Sequence, residues 1–452
     1  MSESKHNEHI RIAIIGSGIT ALARAWQLKQ RGQDCVVLET SDQIGGAMQS
    51  HREGNYLAEE GPNSIQVNSA EVDAFLKSVP GFDDRVVVAS DEAKKRFILK
   101  NDQPHAVPMG PFSALTTPLW SFGGKLRVLK EPFIKAIAPE IEESAADFVR
   151  RRLGDELYRY AINPLIGGIY AGDPEQLSLR YAFPKLYALE QNHGGMIRGA
   201  IAKMRAARRS DAPKVDKRII SFKDGLAELP QLLATALGDS VHTGVSISSI
   251  RRTSKDWQIE WNGTTHRYDE VVLTTPAHAL DKLPLDASIQ KMLVPLKAID
   301  YPPVSVLSLA FKRTDVAHPL DGFGVLVPEC EKRKILGTLF PSSLFSGRAP
   351  VDEVLLTVFV GGERQPECAL AETNTLLETV LPELKQLLGV SGQPTFVHHK
   401  HWPRAIPQYK LGYGALLAQM DEVEANFHGL KLAGNYRDGI SLSYCIEAAV
   451  KG

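Results

Sequence analysis

The stretch Arg11-Ile12-Ala13-Ile14-Ile15-Gly16-Ser17-Gly18-Ile19-Thr20-Ala21 constrains the fold more than any other. Its short β-branched run predicts a buried parallel strand. The G-x-G-x-x-A that follows predicts a tight turn into a helix. Gly16 permits the turn, and Gly18 lets the backbone come close to a pyrophosphate. The helix opening at Ile19 and Thr20 offers that anion its free N–H groups and positive end. Ala21 stands where a third glycine is usual and still permits close packing of helix on strand. A second apolar run, Val36-Val37-Leu38, ends in Glu39 about 20 residues on, where a carboxylate can bind ribose hydroxyls. This order predicts a dinucleotide site. The alternative is a βα turn kept small for packing alone.

A chain of 452 residues is too long for one simple core, so two domains or more are predicted. Its composition, 43% apolar and 23% charged, is that of a globular protein, and a formal net charge of −1 gives no reason to expect nucleic acid. Cys35, Cys330, Cys368 and Cys445 are scattered without a C-x-x-C pair. That fits reduced thiols in a cytoplasmic setting and offers no metal-site spacing. The start Met1-Ser2-Glu3-Ser4-Lys5-His6 lacks the apolar core of a secretory signal. No run reaches ~18 uninterrupted apolar residues, so no membrane span is predicted. The chain is read as soluble or resting on a membrane.

The pattern along the chain is α/β. A helix is predicted from Glu71, then strands at Val86–Val88 and Phe97–Leu99. Between Asn101 and Pro139, Trp120, Phe122, Leu126, Leu129 and Phe133 mix with Lys125, Arg127, Lys130 and Lys135. That mixture fits either a membrane surface or a packing helix with a solvated basic face. Glu142–Gly154 reads as a helix. The cationic stretch from Arg198 to Arg218, with Arg205, Arg208, Arg209 and Lys217, reads as an exposed helix and loop. Beyond Gly225, a helix at Leu226–Leu237 and a strand at Val241–Ile250 are predicted. A hairpin over Ser254–Trp261 and Thr265–Tyr268 and a buried strand at Val271–Pro276 follow. Further strands are read at Val304–Phe311, Gly324–Val327 and Val354–Val360, and a helix at Glu372–Leu388. Leu430-Lys431-Leu432-Ala433-Gly434-Asn435 is again a strand entering a glycine turn, with a helix from Ser443 to Val450. The nucleotide unit is thus drawn from separate segments of chain.

Several motifs together resemble the oxygen-dependent protoporphyrinogen oxidases, including their coproporphyrinogen-oxidising bacterial branch. They are the N-terminal unit with Gly45-Gly46 and Gly61-Pro62-Asn63-Ser64, then Gly168-Ile169-Tyr170-Ala171-Gly172-Asp173 and Phe183-Pro184-Lys185-Leu186. They continue with Phe222-Lys223-Asp224-Gly225-Leu226, Gly322-Phe323-Gly324-Val325-Leu326-Val327-Pro328, Ile406-Pro407-Gln408-Tyr409, and Gly434-Asn435 with Gly439 and Cys445-Ile446. The resemblance implies FAD in a Rossmann-like domain assembled from 9–70, 225–295 and 425–452. It also implies an α+β substrate domain from 71–100 and 296–424, and a helical membrane-binding domain inserted at 101–224. By matching motif, Gly16, Gly18, Ile19, Thr20, Ala21, Glu39, Thr40, Gly46, Ala47, Gly61, Pro62, Asn63 and Ser64 fall at the FAD. Val245, Trp402, Gly434, Ile440, Ser441 and Leu442 join them. Gly168, Phe323, Leu326 and Phe359 fall at the substrate.

The implied reaction is the oxidation of protoporphyrinogen IX to protoporphyrin IX in haem biosynthesis. Six electrons leave in flavin-mediated steps, with O2 as acceptor and peroxide released. Coproporphyrinogen III oxidation is the alternative substrate reading, followed by another flavin oxidase acting on an amine or polyene. A non-enzymatic protein like the GDP-dissociation inhibitors is the remaining one. The large apolar porphyrinogen needs apolar walls and few charges, which suits Phe323, Leu326 and Phe359. Arg96 is read as a partner for a propionate, against a plain solvated basic face. His193 and His401 each read better as structural than as a catalytic base. The chain departs from the family in three places. Tyr444 replaces an acid before Cys445, Ala21 replaces a glycine, and Pro111-Phe112 stands after Pro108-Met109-Gly110 where one branch has an arginine. Peripheral membrane contact, a homodimer, and a few further residues beyond the last helix are also expected.

Overall fold

A parallel five-stranded sheet runs in the order Val241–His242, Asp34–Leu38, Arg11–Ile15, Glu270–Leu273, Leu430–Leu432. The computed structural model describes residues 11–91, 94–209 and 216–451, so residues 9–10 and 452 of the expected nucleotide unit, the start Met1–His6 and the Arg208 side chain lie outside the described residues. The continuous apolar run of the first strand has a simple cause: both faces of the sheet are covered. Ala13 and Ile15 enter one core with Leu38, Leu273 and Leu432. Ile12 and Ile14 enter another with Val37 and Val272. Helices Ile19–Gln30, Glu228–Leu237 and Leu442–Lys451 cover the second face through Leu22, Trp26, Leu233 and Ile446. The other face packs on Trp257, Ile259 and the helix Tyr413–Asn426.

Three elements sit differently from expectation. The helix Ala70–Ser78 and the strand Val86–Val88, expected with the substrate unit, lie on the nucleotide unit, as does the strand Arg218–Phe222, expected with the helical unit. Val72, Phe75 and Leu76 give this helix one apolar face, and the Trp26 indole N–H donates to Ser78 Oγ at 2.9 Å, so its natural partner is the first helix. The single strand predicted over Val241–Ile250 is in fact two. Gly244 N–H donates to the Ser41 carbonyl and Val245 N–H to that of Glu39, which turns the chain over the end of the second strand. Ile247–Arg252 then opens an antiparallel sheet with the expected hairpin, Trp257–Trp261 and Thr264–Tyr268.

A seven-stranded sheet forms the second body. Its order is Phe396–Trp402, Val304–Lys312, Glu353–Gly361, Gly337–Leu339, Gly322–Leu326, Lys95–Lys100, Gln103–Ala106. One face buries Leu307, Leu309, Phe311, Val358 and Val360 under the helix Thr373–Leu388. The opposite face is turned to the site.

From 107 to 209 the described residues are helical or irregular. Helices Pro111–Thr116, Phe122–Leu129, Ala145–Leu153, Asn163–Tyr170, Pro184–His193 and Met196–Arg209 surround a small core of Phe148, Val149, Tyr158 and Leu179. Charge compensates for the little apolar area. Arg152, wholly buried, pairs with Glu131 at 2.9 Å and with Glu190. Glu131 also accepts the Met196 and Ile197 N–H groups at the start of the last of these helices. Among the described residues no helix is long and apolar enough to cross a membrane.

Candidate active site

The turns that leave the parallel strands at their carboxyl ends meet in one crevice, the place where open α/β sheets bind ligands. Gly16 has φ +103°, and a Cβ there would press on Thr274 Oγ1 at 2.8 Å, so the turn requires glycine. Gly18 has an ordinary φ of −64°, and a Cβ on it would meet no atom within 4 Å. What forbids a side chain at Gly18 is therefore nothing within the fold, which fits a close-lying ligand. Gly18 bridges to Gly45, and Gly46 lies against its Cα. Ile19, Thr20 and Ala21 are buried at the start of the helix, while Thr40 and Ala47 are exposed at the rim. Glu39 is locked onto the glycine turn. Its Oε2 accepts from Ser17 N at 2.9 Å and Ser17 Oγ at 2.7 Å, and its Oε1 from Ser41 N at 2.9 Å. A carboxylate has about four lone-pair sites, so it retains capacity for a ribose hydroxyl. Val245 stands beside it through the Glu39 carbonyl.

The later segments close the crevice. Asn63 donates to the Gly61 carbonyl at 3.0 Å, and its buried Oδ1 has no partner in the protein. Thr275 Oγ1 is buried and unpartnered in the same way. Pro62 and Ser64 are half-buried beside Asn63. The Trp402 indole N–H donates to the Glu60 carbonyl at 2.6 Å, which places Trp402 at the entry to this turn. Gly434 lies near Thr274, and its N–H donates to Asp438 at 2.9 Å. Ser441 Oγ accepts from Tyr444 N at 3.1 Å at the start of the helix beginning at Leu442, preceded by half-buried Ile440. That helix shares a core with the first one, Cys445 and Ile446 burying with Leu22. Two positive helix ends thus converge on the crevice. Open space at Gly18, an orphaned amide acceptor at Asn63, an orphaned hydroxyl at Thr275 and the locked Glu39 fit FAD.

The face of the seven-stranded sheet is built on one rung. Ile98, Leu326, Gly337, Phe359, Val306 and Lys400 are successive register partners across it. Gly337 contributes no side chain, so Leu326 and Phe359 flank a shallow apolar floor. Phe359 packs with Val304, Val306 and Trp402, which ties this floor to the cofactor turn. The helix Asn163–Tyr170 lies over Leu326: a Cβ on Gly168 would sit 2.5 Å from its Cδ2. Leu165 and Ile169, at i and i+4 on that helix, are exposed. Phe323 packs on Leu344 and Phe345, with the Arg96 guanidinium 5.1 Å from its ring centre. Among the described residues no carboxylate pairs with Arg96.

A charged junction not foreseen from sequence joins the two bodies. Glu60 accepts from His398 at 2.9 Å and pairs with Lys400 at 2.7 Å. The His398 hydrogen bond, helped by Lys400, holds the Glu60 carboxyl down at about 2 against the opposing effect of burial. His51, Glu60 and His398 bring donor atoms within 4.8 Å of one another. The two imidazoles, however, lie parallel with centres 4.0 Å apart, so their in-plane lone pairs do not converge on one ion. His193 and His401 are exposed. At the family's missing acid, Tyr444 carries the Lys185 ammonium 4.9 Å from its ring centre.

Comparison with known proteins gives a consistent result. The family model for flavin containing amine oxidoreductase matches residues 17–451. Protoporphyrinogen oxidase 2 of Arabidopsis thaliana is 33% identical over 98% of this chain and 92% of its own length. Coproporphyrinogen III oxidase of Bacillus subtilis is 25% identical over 99% and 97%. Among solved structures, a putative protoporphyrinogen oxidase from an Exiguobacterium species aligns with a TM-score of 0.79 at 24% identity, covering 98% and 97%. UDP-galactopyranose mutase shares the fold at 0.74 and 15%, covering 98% and 94%. The chain belongs to the flavin-containing amine oxidoreductase family, as a flavin oxidoreductase of its porphyrinogen oxidase group with FAD as cofactor.

Proposed function

We propose that the chain oxidises protoporphyrinogen IX to protoporphyrin IX, removing six electrons in three steps and reducing three O2 to three H2O2. The observation that carries this reading is the apolar floor of Leu326, Gly337 and Phe359 under Gly168, edged by one cation, Arg96, with no acid partner among the described residues. A flat apolar macrocycle fits such a floor, and a propionate fits the guanidinium. FAD, when bound, supplies acceptance of the hydride and the passage of its two electrons, with protons, to O2. The protein's part is to orient the ring, keep water from the floor and hold the carboxylate rim at Arg96. Gly16, Gly18, Glu39, Asn63, Thr275 and the Gly434–Leu442 segment are the residues that would hold FAD. Coproporphyrinogen III, with more carboxylates, is the second reading, supported by the Bacillus relative.

The exposed apolar residues Met109, Phe112, Leu115, Phe122, Leu129 and Phe133 support peripheral contact with a lipid surface, since none of them is used for packing. The test of function is porphyrin fluorescence under air with FAD-loaded protein. The expected result is faster product formation from protoporphyrinogen than from coproporphyrinogen. A reversed preference moves the assignment to the second reading, and no product from either overturns both.

A further inference from the structure

We propose that Tyr409 is a positioning residue for the cofactor: one buried phenol that clamps the Gly434–Gly439 turn and fixes its place relative to the helix bearing Gly168. This rests on the reading that the Gly434–Leu442 segment holds FAD. The phenol is 4% exposed. Its hydroxyl donates to the Asn435 carbonyl at 2.5 Å and accepts from Gly439 N–H at 2.9 Å, so a single oxygen closes both ends of the turn. Burial pushes its ionisation well above the ordinary tyrosine range, so it remains a donor at every working pH.

The other side of the same short segment is pinned to the helical unit. Ser178 N–H donates to the Tyr409 carbonyl at 2.8 Å. Gln408 donates from Nε2 to the Tyr170 carbonyl at 2.8 Å, and Tyr170 ends the helix that lays Gly168 on Leu326. Leu411 N–H donates to the Gln176 carbonyl at 2.8 Å. Tyr413 stacks on Tyr409 with centres 4.4 Å apart and holds the Tyr436 carbonyl at 2.5 Å, but it makes no bond to Gly439. The Gln408-Tyr409 pair therefore spans from the wall of the substrate floor to the cofactor turn. A tyrosine kept only for packing has no need to bond both ends of one turn.

The experiment compares Tyr409→Phe and Tyr413→Phe with the wild-type holoprotein. Flavin fluorescence recovery on dilution gives the FAD Kd, and visible circular dichroism reports the flavin's surroundings. Loss of two hydrogen bonds at the turn predicts an FAD Kd raised about tenfold to a hundredfold in Tyr409→Phe, with an altered flavin dichroism band. Tyr413→Phe removes one bond, to the Tyr436 carbonyl of the same turn, and leaves both of Tyr409's, so its Kd is expected to rise less than that of Tyr409→Phe; an equal or larger rise would refute a special place for Tyr409. A yellow Tyr409→Phe protein with unchanged Kd and band overturns the proposal alone. A wild type that takes up no FAD overturns the reading of the turn and the proposal with it. Should Tyr409→Phe fail to fold, hydrogen exchange in wild-type holoprotein decides. Slow exchange at Gly439 supports the clamp, and exchange at the rate of an open loop refutes it.

Discussion

At the scale of the residue, two glycines of the same crevice are glycine for opposite reasons. Gly18 has free space beyond its Cα and an ordinary φ, whereas a Cβ on Gly61 would press into the Ala47 carbonyl oxygen. Gly18→Val is therefore expected to fold with the thermal stability of the wild-type apoprotein yet purify without flavin. Equal flavin absorbance per chain in wild type and variant would show that the turn is not at the cofactor. Gly61→Ala is expected to lose about 1–3 kcal/mol of stability in urea unfolding of the apoprotein, because backbone must move. Arg96→Gln is expected to raise KM for the porphyrinogen about tenfold with little change in kcat, as the loss of one charge-assisted bond implies. An unchanged KM would return Arg96 to a solvated basic face. Gly18 and Glu39 were legible in the sequence because their geometry is set within one strand-turn-helix-strand unit. The Glu60–His398 bond was not, since its partners are 338 positions apart and neither has a local pattern.

Among elements, the helix Phe122–Leu129 shows how far periodicity can be read. Its apolar spacing suited both packing and a surface. In the structure it buries none of its residues, although Ser121 caps it by accepting from Gly124 N at 3.1 Å. Burial of each exposed phenylalanine in lipid is worth about 1.5–3 kcal/mol. The double change Phe122→Ser, Phe133→Ser is accordingly expected to cut sedimentation with phospholipid vesicles at least tenfold while leaving the melting temperature unchanged. Vesicle binding equal to wild type would remove the lipid reading of this face. Packing in the helical unit rests instead on Arg152. Arg152→Ala strands buried Glu131 without its cation and leaves Glu190 only Arg151, and a loss of about 3–5 kcal/mol in urea unfolding is expected. The sequence showed a basic run at Arg150–Arg152 but not that its last member turns inward. Orientation within a run of like residues depends on the acids that meet it, and these come from other helices.

For the molecule as a whole, the nucleotide unit and the seven-stranded sheet are coupled just after the strand Tyr56–Glu59, at Glu60, whose backbone carbonyl holds Trp402 and whose carboxylate holds His398 and Lys400. Its folded-state carboxyl sits at about 2, below the ordinary value of 4.5. The sign follows: the stabilisation is fully present above about pH 4.5 and is lost as the pH falls towards 2. Wild type is expected to exceed Glu60→Gln by about 1 kcal/mol at neutral pH, with the gap closing on acidification. Parallel urea titrations at pH 7 and pH 3 check this, and a gap that widens in acid would contradict it. The α/β class and the segmented nucleotide unit were readable from strand-turn signals. The allegiance of the helix Ala70–Ser78 was not, because an amphipathic face shows that a helix is buried without showing against what.

The parallel sheet has a consequence for biosynthesis. Its strand Arg11–Ile15 is made long before its edge strand Leu430–Leu432 and the glycine turn after it. A nascent chain thus carries the front half of a flavin pocket through all of the elongation between these strands and cannot complete it until the Gly434–Leu442 segment has emerged. FAD is therefore expected to load only after that segment has emerged, and limiting flavin is expected to leave the folded chain more open to proteolysis.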